Sequence, residues 1–515
     1  MTESHQRRPD SDDSLEPGQS VLPGPHRPSP VSFWFAFAPV LCLIVLLVGS
    51  VWLFGDDAIG GPSQVALMLA GFVAAGFALI SGSSWAGLED QVLRSTGYVT
   101  QAILILLLVG GLIGTWILGG IVPTLIVWGL RLLSPEVFLA AAVMISALVS
   151  LATGSSWSTA GTLGLALVGI GNTMQIDPAM SAGAVISGAY FGDKMSPFSE
   201  TTNLASSMVG VDLFVHIRHM FYTTVPGVLI TICVFLLIGV AGDTASGYDP
   251  ARIENVITGI ERVFDTSPVM LLPPLILFVL VARRMPAIPA LMVGLLLGVV
   301  FALLFQPAAI GAFMEIPSAG ALTGGEYMQN ATRAAGHAAA TGYVARSGVA
   351  EVDSLLSRGG MSSMLTTIWL ILSAMFFSGI MEGSGFLQRI AAGILRFARG
   401  TGHLIAASLG TSLFLNFTAS DQYLSLVVTG RMYREAFTRE GLEHKNLSRA
   451  LEDSGTLTSA LVPWNTCGAF MASTLGVATL SYLPYAVLNW TVPLISLAYG
   501  YLGYSITRIP ERDPE

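Results

Sequence analysis

The chain has 515 residues, of which 53% are hydrophobic and only 11% charged, and its mean hydropathy is +0.68. Soluble domains carry about 25% charged residues, so this composition excludes an ordinary water-soluble protein and favours the lipid bilayer as its surroundings. The formal net charge of −9 comes without any basic stripe, which excludes nucleic acid as a partner.

The first 30 residues differ from the rest of the chain. They are polar and rich in proline, serine and acidic residues, which predicts a disordered cytoplasmic tail over 1–30. No cleavage pattern follows, so we expect no signal peptide. Beyond the tail, apolar runs reach the roughly 20 residues that a transmembrane helix needs. The clearest are Val31–Phe54, Pro62–Gly82, Tyr98–Gly119, Met220–Val240, Pro286–Phe305, Met361–Glu382 and Leu480–Tyr504.

Polar residues interrupt the apolar run between Glu136 and Ile170. The interruption is Gly154-Ser-Ser-Trp-Ser158, with apolar segments on both sides. Such a break predicts a re-entrant hairpin, that is, two half-length helices that enter and leave the membrane on the same side. Its tip would present Ser155 and Ser156 as candidate ligands.

The most informative stretch is 183–203, where an apolar helix stops at Asp193-Lys194, passes Pro197 and resumes after several oxygen-bearing side chains. Charge inside a membrane is costly, and unwound backbone is tolerated there only beside a cavity. Broken helices of this kind form the ion sites of many secondary transporters. The candidate ligands of this stretch are Asp193, Ser199, Glu200, Thr201, Thr202 and Asn203.

Lys194 is one of only two lysines in the chain. A lysine inside a membrane needs a partner or a water-filled cavity, so we predict an ion-pair or gating role for it. Asp193 is one candidate partner, and that pairing would give Asp193 a purely structural role. Adjacent residues of a helix do not face each other, which leaves Glu200, Glu452 and Asp453 as the alternatives.

The second half of the chain repeats these features. The run His403–Gly430 has arginine clusters at both ends, and both clusters fit on one side of the membrane if the run is a second re-entrant hairpin with its tip at Asn416–Asp421. A second broken helix follows at 451–467. The candidate ligands of these two segments are Asn416, Thr418, Ser420, Asp421, Asp453, Thr456, Thr458 and Asn465.

The two halves match at a nearly constant spacing. Aligning Gly154 with Asn416 gives an offset of 262 residues, and Asn203 and Asn465 are also 262 residues apart. The shared order of hairpin, broken helix and closing helix predicts an inverted repeat. With five full spans and one hairpin per half, we expect an all-α polytopic membrane protein with about ten transmembrane helices, two re-entrant hairpins and broken helices.

This repeat divides the chain, and the arginines orient it. Arginine-rich connections lie on the cytoplasmic side of a membrane, which places both termini in the cytoplasm. The predicted parts after the N-terminal tail are a first inverted repeat over 31–242, an extracytoplasmic linker over 243–266, a second inverted repeat over 267–505 and a cytoplasmic C-terminal tail over 506–515.

Hydroxyl, amide and carboxylate oxygens together suit a small hard cation such as sodium. Asp193, Asn203 and Asn465 are the candidates for direct sodium ligands. An ionised Asp193 would bind sodium and a protonated one would not, so Asp193 is the first choice for the titrating group. For any single serine or threonine, the alternative is a hydrogen bond to a carbonyl of its own helix. Beyond the transported sodium we expect no cofactor.

Five segments resemble the NhaC-type sodium/proton antiporter family: Gly188–Asn203, Leu451–Thr456, Pro463–Gly468, Gly154–Gly161 and Gly430-Arg-Met432. The resemblance covers most of the chain beyond the N-terminal tail. It implies a multi-pass secondary transporter of a prokaryotic inner membrane, of the ion-transporter superfamily, with sodium coupling and proton exchange. Similar exchangers move organic substrates, such as malate against lactate, and others are amino-acid carriers.

The hairpin tips depart from the family pattern. Ser155 and Ser158 stand where Thr and Gly are expected, and Asp421 is unusual at the second tip. The predicted function is therefore sodium/proton exchange, and the alternative is a sodium- or proton-coupled carrier of a small carboxylate or amino acid. A channel would need a continuous pore, and an enzyme would need a nucleophile–base pair or a metal triad, so we expect neither. Assembly as a homodimer is left open.

Overall fold

The computed structural model describes residues 31–54, 58, 60–241, 250–283, 285–316, 324–396 and 398–510. Within these ranges the regular elements are helices, apart from one isolated β-bridge between Leu442 and Arg508, so the all-α prediction is confirmed. The predicted tail 1–30, residue 242 at the end of the predicted first repeat, the start of the predicted linker (243–249) and residues 511–515 lie outside the described residues.

The first half of the chain forms ten helices within the described ranges. In chain order they are α1 Phe33–Phe54, α2 Pro62–Ile80, α3 Trp85–Leu118, α4 Ile121–Leu132, α5 Pro135–Thr153, α6 Ser156–Thr159, α7 Leu165–Thr173, α8 Pro178–Met195, α9 Glu200–Val209 and α10 Leu213–Ala241. A π-helical turn, Ala160–Gly164, joins α6 to α7. Helix α3 starts well before the predicted Tyr98, because Ser84 caps it by accepting a hydrogen bond from the Gly87 N–H at 3.2 Å.

The second half continues the numbering. Its helices are α11 Pro250–Val263, α12 Leu272–Ala282, α13 Ala287–Phe305, α14 Pro307–Phe313, α15 Gly324–Thr341, α16 Ala350–Leu356, α17 Leu365–Gly383, α18 Phe386–Leu395, α19 Gly400–Thr418, α20 Gln422–Arg439, α21 His444–Ala450, α22 Thr466–Leu475, α23 Thr479–Tyr482 and α24 Val487–Leu502. Between α21 and α22 the chain forms a π-helical turn, Leu451–Thr456, and a 3₁₀ turn, Leu457–Leu461. Shorter 3₁₀ turns are Pro268–Leu271, Met361–Met364 and Leu483–Tyr485.

Seven helices in the described part of the chain are long and apolar enough to cross a membrane, namely α1, α2, α3, α5, α10, α13 and α17 with its preceding turn. The pair Thr466–Leu475 and Thr479–Tyr485 adds an eighth if its 91° bend lies within one span. Large apolar side chains such as Trp34, Leu237 and Leu304 are exposed on these helices, as contact with lipid requires. The polytopic membrane class is therefore confirmed.

The expected number of about ten spans depends on shorter apolar helices. These include α4, α18 and α24, so the number stays a prediction. The last predicted span, Leu480–Tyr504, is not one helix, because the chain leaves helical geometry at Ala486 before α24 begins.

Helices α5 and α6–α7 fold back on each other around the first predicted tip. Gly154 ends α5 with a φ of 70°, a left-handed conformation that glycine adopts without strain. Far from the tip the two arms touch again, since a Cβ at Gly171 would lie 2.9 Å from the Phe138 ring. The first hairpin therefore has the predicted turn, and its depth in a membrane stays a prediction.

Helices α19 and α20 form the second hairpin. They are antiparallel, because the Thr411 and Tyr433 hydroxyls lie 2.8 Å apart and Ser412 Oγ donates to Thr429 Oγ1 at 3.3 Å. The turn contains Ser420, which has a φ of 58°. Both ends of this predicted hairpin thus lie on the same side of the fold, and its re-entrant character stays a prediction.

Helix caps and turns recur at one spacing in the two halves. The equivalent pairs, each 266 residues apart, are the N-caps Ser155 and Asp421, the N-caps Ser199 and Asn465, and the helix-ending glycines Gly210 and Gly476. The predicted alignment of Asn203 with Asn465 is therefore wrong, and Ser199 is the counterpart of Asn465. The predicted alignment paired two identical residues, but serine and asparagine cap helices equally well, so equivalent caps need not be identical. The inverted repeat itself stays a prediction.

Close packing of α8 against α5 positions the functional residues. A Cβ at Gly188 would lie 2.2 Å from the Val143 carbonyl oxygen, and one at Gly192 would lie 2.3 Å from the Leu151 nitrogen. Two backbones can approach this closely only where the helix lacks side chains. The contact holds the end of α8, with Asp193, beside the turn that follows α5.

Candidate ion-binding site

The carboxylate of Asp193 joins three segments of the chain. Its Oδ2 accepts hydrogen bonds from the Ser156 N–H at 3.1 Å and the Ser156 hydroxyl at 2.6 Å, and its Oδ1 accepts one from the Ser199 hydroxyl at 2.6 Å. Ser156 lies in the first hairpin tip, and Ser199 is the N-cap of α9. A side chain that is only 6% exposed therefore connects α8 to both breaks.

The first hairpin tip also contacts the α8–α9 break and the second half. A Cβ at Gly154 would lie 2.7 Å from the Phe198 carbonyl carbon, so these two turns touch. Ser155 caps the short helix α6. Next to it, the Trp157 ring stacks on Phe470 of α22, with centroids 4.1 Å apart. The tip is therefore fixed from both sides.

Local hydrogen bonds hold the other predicted residues at the start of α9. The hydroxyls of Ser199 and Thr201 lie 3.0 Å apart. Thr202 Oγ1 donates to the Lys194 carbonyl at 2.9 Å, and Asn203 Nδ2 donates to the Ser199 carbonyl at 2.7 Å. Asn203 Nδ2 also donates to the Pro197 carbonyl at 2.9 Å. Thr202 and the amide nitrogen of Asn203 thus stabilise the break by bonding to its carbonyl groups.

Lys194 forms an ion pair with Asp453, and neither side chain is exposed. The Thr223 hydroxyl donates to the same carboxylate at 3.0 Å, and Arg449 Nε lies 3.9 Å from its other oxygen. Pairing of Lys194 with Asp193 is therefore wrong, and a pair with Asp453, one of the alternatives, is confirmed. The reason is helical geometry, because successive side chains point about 100° apart.

In the second half, amide side chains bind the hairpin to the break. Asn416 Nδ2 donates to the Gly455 carbonyl at 2.7 Å and to Thr458 Oγ1 at 2.9 Å. Asn465 Nδ2 donates to the Asn416 carbonyl at 3.0 Å, while its Oδ1 accepts from the Cys467 N–H at 3.0 Å. Both amide groups are therefore engaged with the protein itself.

The second tip is held by backbone groups and one carboxylate. The Ser420 carbonyl accepts from the Thr466 N–H at 3.0 Å. Asp421 caps α20 by accepting from the Leu424 N–H at 3.0 Å, and its other oxygen lies 3.5 Å from the Thr466 hydroxyl. Thr418 donates to the carbonyl four residues earlier at 2.8 Å. This bond to its own helix is the alternative to a ligand role that applies to any single threonine.

Among the predicted ligands, Ser420 and Thr456 have buried hydroxyl groups that make no close hydrogen bond in the described ranges. Ser420 lies in the second tip, and Thr456 lies in the π-helical turn beside the Glu452 carboxyl group. Thr458, in the following 3₁₀ turn, donates to the Ser454 carbonyl at 2.6 Å. The predicted hydroxyls of the second half therefore divide into those with a close hydrogen bond and those without one.

Glu452 is a buried carboxyl group that the sequence indicated only as a partner for Lys194. The π-helical turn places it at 0% exposure, and the hydroxyl groups beside its carboxyl group are those of Thr201 and Thr456. Thr201, Asp193 and Lys194 are among its neighbours. A second acid beside Asp453 in an apolar segment was the available signal for this position.

Arg449 and Tyr423 were also missed. Arg449 is 1% exposed and donates to Ser505 Oγ at 2.7 Å. The Tyr423 hydroxyl donates to Glu200 at 2.8 Å and so links α20 of one half to α9 of the other. Neither contact has a local sequence pattern, because each joins residues far apart in the chain.

A cavity of about 1320 Å³ lies between the two halves. The predicted residues in its wall are Ser155, Asp193, Glu200, Thr201, Asn203 and Asp421. The other predicted residues do not line the cavity; they are Ser156, Lys194, Ser199, Thr202, Asn416, Thr418, Ser420, Asp453, Thr456, Thr458 and Asn465. Wall residues that the sequence did not indicate include Gln101, Gln388, Tyr423 and Arg431.

The chemistry of this arrangement suits an alkali cation. No group of three or more His, Cys, Asp or Glu side chains in the described part of the chain is arranged to hold a transition metal. Asp193 instead combines one carboxylate with neighbouring hydroxyl oxygens at two helix breaks. Oxygen ligands of this kind, with unwound backbone beside a cavity, are those that transporters offer to sodium.

Comparison with known proteins gives a consistent family match. The sequence model described as "Na+/H+ antiporter family" matches residues 188–504, a range that includes Asp193, the second hairpin and the second break. The "Na(+)/H(+) antiporter NhaC" of Alkalihalophilus pseudofirmus is 38% identical to this chain over 444 residues, which cover 86% of this chain and 91% of that protein.

Two further relatives have names that include organic substrates. The "Malate-2H(+)/Na(+)-lactate antiporter" of Bacillus subtilis is 35% identical, over 91% of this chain and 94% of its own length. The "Arginine/ornithine antiporter ArcD" of Halobacterium salinarum is 34% identical, over 94% and 95% of the two chains. All three matches extend well beyond the residues of the site.

Proposed function

Because the chain belongs to the Na+/H+ antiporter family, we propose that it exchanges sodium for protons across the inner membrane of a prokaryote. The observation that carries this proposal is the placement of Asp193. This buried carboxylate lies at the meeting point of two helix breaks and in the wall of a large cavity. An acid in this position can hold a cation that arrives through water and release it in the same way.

The ionised Asp193 carboxylate supplies the charge that attracts sodium. Hydroxyl groups both donate and accept, so Ser156 and Ser199 can turn their lone pairs to an ion next to the carboxylate. Thr201, whose hydroxyl lies 3.0 Å from that of Ser199, adds an oxygen from the cavity side. A proton in the site opposes sodium binding because it removes the attracting charge.

The two asparagines predicted as sodium ligands have different proposed roles. Asn203 lines the cavity, so its amide oxygen is a proposed ligand. Asn465 uses its amide on the second tip and on the start of α22. We propose that Asn465, like Asn416, positions the second half of the site without contacting the ion.

The cavity is proposed to open to the cytoplasm in the conformation described here. Its wall includes Met285, Gln388 and Arg431, which lie at the arginine-rich ends of their segments, and such ends are cytoplasmic under the positive-inside rule. Exchange requires a second conformation that opens outward. The hydrogen bond between Tyr423 and Glu200 spans the two halves and would separate in that movement.

Sodium-driven proton movement in proteoliposomes tests this function. A sodium gradient imposed without organic solute is expected to change the internal pH, and Asp193→Asn is expected to reduce the rate at least tenfold. Asp90→Asn is the matched control, since Asp90 lies on the surface with 61% of its side chain exposed. Unchanged exchange in Asp193→Asn, or no sodium-driven proton movement in the unsubstituted protein, would contradict the proposal.

A second candidate function is exchange of a small carboxylate or amino acid coupled to sodium or protons. The observation that favours it is the cavity volume of about 1320 Å³, which exceeds the roughly 300–1,000 Å³ typical of small-molecule sites. Arg431, Gln101 and Gln388 in the wall offer donors to a carboxylate. Adding malate, lactate, arginine or ornithine to the same assay distinguishes the candidates, because only a carrier of that solute would show flux that depends on it.

A further inference from the structure

A small apolar pocket lies at the corner where α1, α18 and α19 meet. Helix α18 packs closely on α1, since a Cβ at Gly393 would lie 2.5 Å from the Phe33 ring. The corner pocket has a volume of about 240 Å³, and it is lined by Phe33, Ile394, His403, Ala406 and Ala407. None of these five residues lines the large cavity. The corner pocket is therefore separate from the proposed ion site.

Two arginines stand beside the corner pocket. Arg396 directly follows α18, close to Ile394, and Arg399 is the N-cap of α19, one turn before His403. Both arginine side chains are exposed. Neither has an ion-pair partner among the residues that the structure describes. Their charges are therefore available to a partner from outside the chain.

Positive charge outweighs negative charge at this corner. Neither α18 nor the first turn of α19 contains an acidic residue. Arg389 of α18 adds a third guanidinium group, whose Nε donates to the Val31 carbonyl at 2.8 Å. From the end of α20, Glu440 Oε1 approaches to 3.9 Å from the position of a Cβ at Gly400. Three guanidinium groups thus stand against this carboxylate, so the corner attracts an anion.

Aromatic side chains place the corner at the boundary between membrane and water. Tyr501 of α24 packs against His403, with ring centroids 5.4 Å apart, and Tyr504 close by is exposed. On α1, the Trp34 ring is exposed next to the corner pocket. Tyrosine and tryptophan collect at the level of the lipid headgroups. The arginines of this corner therefore lie where headgroup phosphates are found.

The chemistry of the corner discriminates between possible ligands. A volume of about 240 Å³ is below the roughly 300–1,000 Å³ typical of small-molecule sites, so it suits a segment of an acyl chain better than a complete soluble ligand. A soluble anion would leave the apolar pocket empty. A zwitterionic lipid would bring a positive group to arginines that already lack partners. An anionic phospholipid satisfies both parts, because arginine forms bidentate hydrogen bonds with phosphate.

We propose that an anionic phospholipid binds at this corner, with its phosphate on Arg396 and Arg399 and one acyl chain in the corner pocket. The lipid then contacts α1, α18 and α19 together. Because α19 is one arm of the second hairpin, the bound lipid joins that hairpin to the first helix of the chain. The proposal is independent of which ion or solute the protein exchanges.

Photo-crosslinking tests this site in the full-length protein. The labelled lipid is a phosphatidylglycerol with a diazirine near the end of one acyl chain, added to protein in phosphatidylcholine nanodiscs. Crosslinks are expected to concentrate on the segments that contain Phe33, Ile394 and Ala406. Unlabelled phosphatidylglycerol should compete, whereas inorganic phosphate and phosphatidylcholine with the same acyl chains should not.

Removing the arginine charges should weaken this labelling. At a subsaturating amount of lipid, Arg396→Gln with Arg399→Gln is expected to reduce the crosslinks about 25-fold, at about fivefold for each arginine near an anionic lipid. The matched control is Arg262→Gln with Arg333→Gln, which removes two exposed arginines from α11 and α15 and should leave the labelling unchanged. If the double variant does not fold, each single substitution provides the test with about a fivefold reduction.

Filling the corner pocket tests the acyl-chain part separately. Ala406→Phe keeps all the charges and is expected to abolish crosslinks at α19. Equal labelling by a phosphatidylcholine with the same diazirine chain would overturn the preference for an anionic lipid. Competition by inorganic phosphate would make the corner a site for free anions, and unchanged labelling after removal of the arginines would remove them from the site. Each of these results overturns the proposal and leaves the proposed sodium/proton exchange untouched.

Discussion

The buried ion pair between Lys194 and Asp453 leads to unequal effects for two similar substitutions. Asp453→Asn leaves the Lys194 ammonium without its partner at 0% exposure, and Arg449 lies 3.9 Å from the same carboxylate. Breaking a buried pair by removing one partner costs about 3–5 kcal/mol. Asp193→Asn breaks no ion pair and weakens only hydrogen bonds from Ser156 and Ser199, which cost about 1–3 kcal/mol.

The free energy of unfolding in mixed detergent micelles, measured by titration with a denaturing detergent, tests this difference. Asp90→Asn is the control, because the surface pair of Asp90 and Arg94 contributes only about 0.3–0.5 kcal/mol. The double substitution Lys194→Met with Asp453→Asn removes both charges of the buried pair. It is expected to regain part of the stability that Asp453→Asn loses.

Two results would refute this reasoning. If Asp453→Asn destabilises the protein no more than Asp90→Asn, Lys194 has no essential partner at that position. If Asp193→Asn destabilises it as much as Asp453→Asn, Asp193 is a structural partner of Lys194 and loses its place in the transport mechanism. The stability measurement thus also tests the assignment of Asp193 to sodium.

Two further predictions concern packing and topology. Gly192→Ala is expected to impair folding, because the added Cβ would lie 2.3 Å from the Leu151 nitrogen, whereas Gly410→Ala meets nothing within 4 Å and should be neutral or about 0.5–1 kcal/mol stabilising in denaturant titrations. Cysteines placed at Arg399 and Arg434, near the two ends of the second hairpin, are expected to react with an impermeant reagent from the cytoplasmic side of the membrane. Reaction of the first from outside alone would rule out the hairpin.

The sequence was sufficient to predict the main breaks in the helices. Gly154 and the Asn416–Asp421 segment interrupt long apolar runs, and both become turns between antiparallel helices. Such breaks are visible in a sequence because glycine and helix-capping side chains are local signals. The register between the two halves was not visible in the sequence, because the equivalent N-caps Ser199 and Asn465 have different side chains.

The contents of the site were less predictable than its location. The sequence placed Asp193 at a break, but it could not show that hydroxyls from two separate turns would bond to it. The sequence left several acids as possible partners of Lys194, and only the folded π-helical turn shows that the partner is Asp453. The complete burial of Glu452 is likewise a property of the packed helices, and no local pattern records it.

The adjacent positions of Asp193 and Lys194 explain how one helix end serves two purposes. Side chains one residue apart point about 100° apart on a helix, so the two charges cannot neutralise each other. Asp193 therefore faces the hydroxyls of the two breaks and the cavity, while Lys194 faces the π-helical turn that contains Glu452 and Asp453. The end of α8 thereby lies between the cavity, where Asp193 is accessible to sodium, and the buried charges of Lys194, Glu452 and Asp453. Any change of charge on one face acts on the other across a single helix, which is the coupling that an exchanger needs.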